Sequence, residues 1–383
     1  MRFPEFTDEW KEVKLGEVLS FEVGYPFSSD AFNEEGNGVR LIKNRDLKAD
    51  DRVVFYGGEY DAQYIVQNGD ILIGMDGDFS PCLWKKGKAL LNQRVGRVNA
   101  NQNTSRVFIL YVLVDSLKKI EHKTSSTTVK HLSHKDVEKI KAFLPSLAEQ
   151  KKIAALLSLI DERIEVQNAI IKEQEAQKAA LLRRLFDRTL RFPEFTDEWK
   201  EVKLGEVAEI IGGGTPSTTT TDYWNGGIVW FNPSEIGKKK YVSNSNRTIS
   251  HQGLSNSGAR LLPKGTVLLT TRATIGEIAI ANVECTTNQG FQSVITGCEA
   301  NNEYVYYFLS TQKEYLLRHS SGSTFRETPP SVIRNLPLRL PSLPEQRKIA
   351  DLLSAVDERL SVEREYAEQL KQQKAYLLRQ MFI

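Results

Sequence analysis

The sequence repeats itself, and the repeat determines how the chain divides. The string RFPEFTDEWKEVKLGEV occurs at Arg2–Val18 and again, without a difference, at Arg191–Val207. A second pair of similar strings follows, PSLAEQKKIAALLSLIDERIEVQ from Pro145 and PSLPEQRKIADLLSAVDERLSVE from Pro341. Self-similarity at a long, fixed spacing predicts two copies of one structural unit. Because the interiors of the copies differ, we expect one task to be carried out on two different targets.

The alignment of the two copies extends into their interiors. Val39–Leu47 matches Ile228–Ile236 at an offset of 189 residues, the same as for the opening strings. From Asn68–Ile73 against Lys264–Leu269 onward, the offset is 196 residues. The second copy therefore carries a seven-residue insertion between these two matched pairs of segments.

Composition argues against several classes of protein. No apolar run in the 383 residues approaches the roughly 20 residues that span a bilayer, so we expect no membrane contact. The first residues lack a charged stretch followed by an apolar one, which argues against a signal peptide. Cys82, Cys285 and Cys298 show no C-x-x-C spacing, which disfavours both a disulfide scaffold and a zinc finger. We expect a cytoplasmic protein.

The charge balance is close to neutral. A formal net charge of +2 is low for a protein that binds duplex DNA, because such a ligand normally requires a basic surface. Lysines are nevertheless concentrated in Lys118–Lys141 and at Lys238–Lys240. Each run has two interpretations, a solvated face or a local patch that contacts phosphates, and charge alone leaves both open.

Each copy ends in a segment whose pattern predicts a long helix. Ser146 and Ser342 are candidate N-caps, and Glu149 and Glu345 stand three residues further on, which is the spacing of a capping box. Apolar residues then recur at steps of three and four residues and form a narrow seam, a pattern typical of a coiled coil. We expect the following residues to form a helix–helix interface: Ile153, Leu157, Ile160, Ile164, Ile171, Leu181, Leu185, Ile349, Leu353, Val356, Leu360, Leu370, Leu377 and Met381.

The chain must fold back for these two helices to meet, so we expect them to run antiparallel. Polar residues interrupt both seams at equivalent places, first Gln167 and Glu363 and then Lys178 and Lys374. A polar residue at a seam position is a device that fixes register in coiled coils. We therefore expect one defined alignment of the two helices.

The remainder of each copy predicts a globular unit of mixed structure. Short β-branched runs beside glycine, such as DILIGM and TVLLTT, indicate strands. Thr104–Lys119 and Asn302–Arg318 have helical spacing. The predicted fold is therefore α+β, with two tandem globular α/β units separated by two long helices that form an antiparallel coiled coil, and with a pseudo-twofold relation between the halves.

The sequence resembles the specificity subunit of type I restriction–modification systems. The resemblance covers essentially the whole chain, and its carriers include the tandem architecture and the EQ-[KR]-K-I-A-x-L-L-S-x-[IV]-D-E-R helices. Further carriers are GGGTPSTTTTDYWNGGIVWF at Gly212–Phe231, WKEVKLGEV at the start of each copy, and the Asn-Gln pairs at Asn92 and Asn288. No single phrase decides the match, but all of them occur here in the same order.

The resemblance implies two target-recognition domains that each read one half of a bipartite site on double-stranded DNA. The domains would be residues 1–144 and 191–340, and the long helices would be residues 145–190 and 341–383. The helices would act as a ruler and as a docking surface for two methyltransferase subunits, which restriction subunits would join. The resemblance also implies a non-catalytic chain that binds no cofactor itself, with S-adenosylmethionine, ATP and Mg on the partner subunits.

Candidate DNA contacts are drawn from the divergent interiors. Arg and Lys pair with guanine in the major groove, Asn and Gln pair with adenine, and Asp accepts from cytosine. The candidates for base or backbone contact are Lys43, Asn44, Arg45, Asp76 and Arg94 in the first copy, and Asn232, Ser234 and Arg272 in the second. An exposed turn is the alternative for Lys43 and Arg45, and a turn-forming Asp-Gly is the alternative for Asp76.

Two serine- and threonine-rich loops end in a cation, at Lys130 and at Arg326. Hydroxyls, backbone amides and one cation suit phosphate contacts, so we expect both residues at the DNA backbone. The aromatic residues Trp84, Tyr223, Trp224 and Trp230 have two interpretations, stacking on DNA or burial in the core, and burial is favoured.

Other chemistries find little support in the sequence. GGGTPS lacks the Gly-Lys-Ser/Thr ending of a P-loop, and His131 and His134 lack the carboxylates or cysteines of a metal site. No arrangement of nucleophile and base is recognisable. Two alternatives to DNA recognition remain: a coiled-coil adaptor whose globular units bind proteins, and a self-sufficient modification enzyme, which the missing methyltransferase motifs disfavour.

Overall fold

The computed structural model of the protein describes residues 2–123, 131–322 and 326–382. The chain forms two compact units, the first containing Met1–Asn168 with Tyr366–Ile383 and the second containing Ala169–Glu365. Two long helices, α3 (Leu147–Phe186) and α9 (Leu343–Met381), each contribute to both units. None of the described helices is long and apolar enough to cross a membrane.

The first unit consists of short strands, two further helices and parts of the long helices. Its strands are β1 (Lys11–Lys14), β2 (Leu19–Val23), β3 (Phe32–Asn33), β4 (Val39–Ile42), β5 (Val54–Tyr56), β6 (Ile65–Val66), β7 (Ile71–Gly74), β8 (Pro81–Leu83), β9 (Ala89–Leu91), β10 (Val95–Ala100) and β11 (Lys141–Leu144). Its own helices are α1 (Arg106–Lys123) and α2 (His134–Glu138). The strands pair in the orders β2-β10-β7-β8, β3-β5-β4-β9-β6 and β1-β11.

The second unit has a related arrangement, in which one sheet has five strands in place of four and another has three in place of five. Its strands are β12 (Lys200–Lys203), β13 (Ala208–Gly212), β14 (Trp224–Phe231), β15 (Tyr241–Val242), β16 (Arg247–Ile249), β17 (Val267–Thr270), β18 (Ile278–Ala281), β19 (Cys285–Thr287), β20 (Phe291–Thr296) and β21 (Pro337–Leu340). Its helices are α4 (Leu204–Val207), α5 (His251–Ser255), α6 (Asn302–Ser310), α7 (Lys313–Arg318) and α8 (Pro330–Arg334). The strand orders are β13-β20-β17-β18-β15, β16-β14-β19 and β12-β21.

A central strand shows why short apolar runs form the core of each unit. Side chains of a strand point alternately to opposite faces. In β7, Ile71 and Ile73 pack into one buried cluster and Leu72 packs into another. In β17, Val267 and Leu269 share one cluster and Leu268 belongs to another. Each of these strands is therefore covered on both faces, as expected for a continuous apolar run.

The pairing of strands locates the insertion in the second copy. Leu41 of β4 pairs with Val54 of β5, and the matched residue Trp230 of β14 pairs with Arg247 of β16. The offset between Val54 and Arg247 is 193 residues, so four inserted residues precede β16 and three follow it. The first part of the insertion lies in the stretch that forms β15, which pairs in parallel with β18.

The helices of the globular parts differ in detail from the predictions. The helix predicted at Thr104–Lys119 is α1, which begins two residues later and ends at Lys123. The prediction of one helix over Asn302–Arg318 is wrong, because α6 ends at Ser310. The hydroxyls of Ser310 and Thr311 donate to the carbonyls of Tyr307 and Phe308 at 2.6 and 2.7 Å. Such bonds compete with the helical ladder.

The identical opening strings dock on the starts of the long helices. Ser146 Oγ accepts from the Glu149 N–H at 3.4 Å, as an N-cap does. The Glu149 carboxylate, predicted to return this bond in a capping box, instead accepts from Arg2 Nε at 2.7 Å and Trp10 Nε1 at 3.4 Å. The predicted box is therefore wrong in its second half.

The same change of partner occurs in the second unit. Glu345 accepts from Arg191 Nε at 2.8 Å and from Trp199 Nε1 at 3.2 Å. Arg191 and Trp199 match Arg2 and Trp10 of the first string. The exact repetition of the opening string is therefore explained in part by contacts inside the protein.

The predicted seam residues of the long helices are buried or half-buried in both units. Ile153, Leu157 and Met381 belong to the core of the first unit, which also contains Phe108 of α1. Leu185, Ile349 and Leu353 belong to the core of the second unit. Three more residues are buried outside these two cores, namely Ile160, Leu360 and Leu370. The others are half-buried, namely Ile164, Ile171, Leu181, Val356 and Leu377. The seam thus packs against the globular parts as well as along the helices.

The helix segments run antiparallel. In the second unit, Glu175 of α3 pairs with Arg364 of α9, and Lys178 pairs with Asp357. A higher residue number on α3 therefore meets a lower residue number on α9. The antiparallel arrangement predicted from the sequence is confirmed.

Candidate nucleic-acid interface

Three loops of the first unit meet at one polar cluster. Asn44 follows β4, Asp76 follows β7 and Arg94 lies between β9 and β10. Asn44 Nδ2 donates to the Asp76 carbonyl at 2.6 Å, and Arg94 Nη1 lies 3.1 Å from Asp76 Oδ2. His131 Nδ1 lies 2.9 Å from Asp76 Oδ1. We call Asn44, Asp76, Arg94 and His131 the first polar cluster.

Asn44 reaches this position because β7 ends in glycine. A Cβ at Gly74 would lie 1.8 Å from Asn44 Oδ1, so any larger residue would displace the amide. Three predicted residues are thereby brought together, and His131 joins them from a distant part of the chain. The sequence singled out His131 only as half of a metal-site spacing and missed its contact with Asp76.

Lys43 and Arg45 flank Asn44 and differ in exposure. Lys43 is half-buried, with its Nζ 4.8 Å from the centre of the Phe32 ring. Arg45 is exposed and donates from Nη2 to the Arg52 carbonyl at 3.2 Å. Of the two, Arg45 therefore presents the more accessible cation.

The matched turn in the second unit holds its polar groups locally. Asn232 Oδ1 accepts from Ser234 N at 3.0 Å and from Ser234 Oγ at 2.5 Å. Asn232 Nδ2 donates to Glu235 Oε2 at 2.5 Å. Asn232 therefore caps the 3₁₀ turn at Pro233–Glu235, and Ser234 lies inside that turn and donates to the cap.

Arg272 occupies the position that matches Asp76, and its charge is opposite. Arg272 Nη2 lies 2.8 Å from Glu327 Oε2, and Glu327 is the match of His131 at the 196-residue offset. Both pairs are joined by the same kind of antiparallel backbone bridge, Asp76 with His131 and Arg272 with Glu327. We call Arg272 and Glu327 the second polar cluster.

The residue that matches Arg94 is Gly290. The backbone carbonyls of Arg94 and Gly290 have the same role. The Arg94 carbonyl accepts from Met75 N at 3.0 Å, and the Gly290 carbonyl accepts from Thr271 N at 2.8 Å. A Cβ on Gly290 would lie 2.8 Å from Pro233 Cγ, so the turn of the second unit leaves little space for an arginine there. The two clusters thus share a backbone frame and differ in charge.

An ion pair beside the first polar cluster keeps a further carboxyl group ionised. Lys48 Nζ pairs with Asp78 Oδ2 and Ser80 N donates to Asp78 Oδ1 at 2.7 Å. Burial alone raises the pKa of Asp78, but the hydrogen bonds from Lys48 and Ser80 outweigh it and lower the pKa to about 2. These residues line a shallow depression next to Asn44 and Arg45.

The family is decided by comparison with known proteins. A family model described as the type I restriction modification DNA specificity domain matches the sequence twice, over residues 7–176 and 196–372. The chain belongs to the specificity subunits of type I restriction–modification systems. Each match begins in one copy of the opening string and ends inside the long helix that follows. This specificity subunit therefore contains two target-recognition domains in tandem.

Relatives with assigned names belong to the same class. The chain is 37% identical over 190 residues to the type I restriction enzyme MjaIX specificity subunit of Methanocaldococcus jannaschii, which covers 49% of this chain and 44% of that protein. It is 34% identical over 167 residues to the EcoBI specificity subunit of Escherichia coli, covering 43% and 35%. The chain thus spans less than half the length of these two relatives. The MjaVIII specificity subunit of M. jannaschii is 21% identical over 414 aligned positions, which cover 99% of this chain and 92% of that protein.

Solved structures share the fold. The type I restriction–modification S subunit from M. genitalium superposes with a TM-score of 0.65 at 15% identity, covering 100% of this chain and 97% of that one. A chain from a structure on complex assembly and conformational transition of the type I system gives a TM-score of 0.60 at 19% identity, with 98% and 97% coverage. At these identities the likeness concerns the fold alone.

The remaining predicted contacts of this specificity subunit have different positions. Arg326 is exposed and stands beside Glu327. Lys130 lies outside the described residues. Trp84, Trp224 and Trp230 are buried, as the favoured interpretation predicted, and Tyr223 is half-buried.

One cation of the second domain was missed by the sequence analysis. The guanidinium of Arg247 lies 3.5 Å from the centre of a Trp224 ring and 5.9 Å from that of Trp230, and the residue is exposed. The signal that pointed toward it was the pair of tryptophans, because arginine stacks readily on aromatic faces. Among the described residues, no cluster of three metal-ligating side chains is present.

Proposed function

We propose that this specificity subunit reads a bipartite site on double-stranded DNA, with each domain contacting one half of the site. The long helices set the spacing between the halves and offer docking surface to two methyltransferase subunits, which restriction subunits join. The chain itself catalyses nothing and binds no cofactor, and S-adenosylmethionine, ATP and Mg belong to the partner subunits. The observation that carries this proposal is the inversion of charge between two polar clusters on a common backbone frame.

The inversion matters because a shared frame presents different chemistry to DNA in the two domains. Arg272 suits a guanine edge, which offers two acceptors, whereas Asp76 suits the amino group of cytosine. A scaffold that only had to bind a common partner twice would gain nothing from such a difference. Two recognition sites for two different half-sites require it.

The energetics allow these residues to exchange protein partners for bases. Arg272 and Glu327 are 43% and 33% exposed, and Arg94 is 58% exposed. An ion pair at such positions contributes roughly 0–1 kcal/mol, whereas a good bidentate contact with a base discriminates by about 1–3 kcal/mol. Giving up the ion pair therefore costs less than the base contact gains. The low net charge is compatible with this role if the partner subunits supply much of the attraction to phosphates.

Substitution of Arg272 tests the proposal most directly. We expect Arg272→Ala to relax one position in one half of the methylated site and to leave the other half unchanged, because only the second domain is altered. The readout is the genome-wide methylation pattern of a host that carries the assembled complex. Arg318→Ala is the matched control, since Arg318 belongs to the same domain and pairs at the surface with Glu314. An unchanged site in the Arg272 variant, or loss of both halves, would contradict the proposal.

The adaptor alternative makes a different prediction. Fluorescence anisotropy of the assembled complex on selected and on random duplexes separates the two, because an adaptor that binds proteins shows no sequence preference. The non-catalytic assignment is checked with the purified chain and a labelled methyl donor. Methyl transfer by the chain alone would refute that assignment.

A further inference from the structure

A tyrosine, an aspartate and a lysine from three different helices meet in the second unit. Tyr307 of α6 donates from Oη to Asp357 Oδ2 of α9 at 2.8 Å. Lys178 of α3 forms an ion pair with the other oxygen of the same carboxylate, and its Nζ lies 5.8 Å from the centre of the Tyr307 ring. We call Tyr307, Asp357 and Lys178 the second clasp.

The first unit contains the same set at the matched positions. Tyr111 of α1 donates from Oη to Asp161 Oδ2 of α3 at 2.7 Å, and Lys374 of α9 lies 2.5 Å from Asp161 Oδ1. Each member is offset by 196 residues from its counterpart. We call Tyr111, Asp161 and Lys374 the first clasp. The helices exchange roles, because α3 supplies the aspartate to one clasp and the lysine to the other.

We propose that the two clasps fix the register of α3 against α9, and that they thereby set the spacer length between the two half-sites on DNA. The second part rests on the proposed function. The residues act as positioning residues and do not contact DNA themselves.

The apolar seam discriminates between helix registers less strongly than the clasps do. Ile and Leu side chains at steps of three and four residues pack acceptably after a shift of one heptad, whereas a lysine and a carboxylate meet in one alignment only. A shift of seven residues moves one helix by about 10 Å along the other. At 3.4 Å per base along a strand this corresponds to about three base pairs.

The clasps are better suited to selectivity than to stability. Lys178 and Asp357 are each 24% exposed, and the tyrosines of both clasps are buried. Replacing such partly buried ion pairs by apolar side chains is often neutral or even stabilising, although removal of one partner alone is costly. Burial, outweighing the hydrogen bonds from the serines, raises the pKa of both Tyr111 and Tyr307, so their hydroxyls stay protonated and donate.

The second clasp has an additional tie to the recognition domain. Lys240, which precedes β15 in the stretch that holds the insertion, donates to Tyr307 Oη at 3.1 Å, to Ser354 Oγ at 2.7 Å and to Glu303 Oε2 at 2.6 Å. The polar network therefore runs from the domain through α6 and α9 to α3. We expect the second clasp to restrict register more strongly than the first.

The test replaces both clasps by apolar residues in the full chain, assembled with methyltransferase subunits. The substitutions are Lys178→Met, Asp357→Met and Tyr307→Phe, with Lys374→Met, Asp161→Met and Tyr111→Phe in the other unit. Methylation is measured on pools of duplexes in which the two half-sites are separated by spacers of every length. We expect the preference for the native spacer to fall about tenfold, a change of about 1.4 kcal/mol, with new products near spacers that differ by about three base pairs. An equally sharp preference would overturn the proposal.

The matched control is the exposed ion pair between Glu175 and Arg364, which joins the same two helices. The exchanged variant Glu175→Arg with Arg364→Glu should keep the native spacer preference. A broadened preference in this control would also overturn the proposal, because any change at the helix pair would then suffice.

If the apolar variant does not assemble, exchanging charges within a clasp tests whether the clasps fix the register. In the first clasp, Lys374→Asp should weaken the spacer preference, and adding Asp161→Lys should restore it, since the pair forms again with reversed charge. The second clasp is left unchanged, because Lys240 donates to Tyr307 and Ser354 and a lysine at position 357 would face a second cation. Failure of the exchange to restore the spacer preference would overturn the proposal. If the proposed function itself is wrong, the experiment gives another result: the wild-type complex then shows no sequence dependence with any spacer length.

Discussion

The residues that hold the starts of the long helices are the same in both copies of the repeat, whereas the polar clusters have different residues in the two copies. Glu149 and Glu345 are buried and accept hydrogen bonds from matched arginines and tryptophans. Asp76 and Arg272 occupy equally well-matched positions, yet their charges are opposite. The difference shows which positions the fold constrains. A buried polar group needs its particular partners, whereas the fold does not hold an accessible group in a loop to one partner.

The identical opening strings have a structural role inside the protein. From the sequence, surfaces that meet the same partner twice are expected to be alike. The structure adds an internal reason, because Arg2 and Trp10 hold one helix start and Arg191 and Trp199 hold the other. Exposed members of the string, such as Glu9, remain available for a common partner.

The largest effect is expected at the buried glutamines that follow these glutamates. Gln346 accepts from Asn301 N at 2.7 Å and donates to the carbonyls of Pro341 and Glu299, both at 2.9 Å. Gln346→Ala leaves these groups unpaired in the interior, and we expect a loss of about 3 kcal/mol in the free energy of unfolding, measured by urea titration.

Two companion variants sharpen this prediction. Gln150→Ala should cost somewhat less, because Gln150 makes one bond with Ser105 N and one with the Pro145 carbonyl. Arg347→Ala, at an exposed neighbouring position, should change the stability by less than about 0.5 kcal/mol. Equal effects of all three variants would show that the buried contacts do not distinguish this region.

The next effect concerns specificity at the first polar cluster. The triple variant Asp76→Arg, Arg94→Gly and His131→Glu gives the first domain the charges of the second. We expect the half-site read by this domain to change, with about 1–3 kcal/mol of altered discrimination at the affected base pair, and the other half-site to persist. Sequencing of methylated DNA provides the measurement.

The same triple variant should fold almost normally. The charged groups of the first cluster are partly exposed, so their exchange should alter the free energy of unfolding by less than about 1 kcal/mol. A cooperative loss of structure, seen by circular dichroism, would indicate that the cluster is a structural element and would remove the contrast with the helix starts.

The smallest effect is a pH dependence at a position where the first unit has a carboxyl group and the second unit has a threonine. Asp78 pairs with Lys48, whereas its match Thr274 donates to the Pro233 carbonyl at 3.3 Å. Because the pKa of Asp78 in the folded protein is about 2, below the value of about 3.9 in an unfolded chain, the ionised form stabilises the fold. This contribution is present above about pH 4 and is lost as the pH falls toward 2.

We therefore expect Asp78→Asn to lower stability by less than about 1 kcal/mol at neutral pH, because the carboxylate is partly exposed. The gap between wild type and variant should close on acidification, as measured by denaturant titration at several pH values. Thr274→Val is the matched control, and its effect should not vary with pH. A gap that persists at pH 2 would argue against the ion pair as its cause.

Much of the architecture was predictable from the repeat. The antiparallel helices, the two copies and the strands at DILIGM and TVLLTT follow from periodicity and spacing. These signals are local in the sequence or occur in both copies. The break between α6 and α7 was not predictable from periodicity, since it depends on how the hydroxyls of Ser310 and Thr311 are used. The role of Glu149 was also misread, because the capping box is a local pattern and Arg2 approaches from far away in the chain.

The residues of the candidate site were also predictable only in part. Asp76, Arg94 and Arg272 were predicted from residue type and from their position after a strand, and DNA contact by these residues stays a prediction. Their partners His131 and Glu327 were missed, since no local signal connects residues that lie more than fifty positions apart in the chain.

The sequence by itself determined that this chain is a tandem repeat with long seam-bearing helices, because identity, periodicity and residue type are properties of the linear string. Only the tertiary structure decided which polar groups face each other. The inverted charges at Asp76 and Arg272, and the exchange of Lys178 and Lys374 between the helices, arise when distant segments are brought within hydrogen-bonding distance. Hydrogen bonds and ion pairs act over a few ångströms in space, and the linear order of residues does not encode that distance directly.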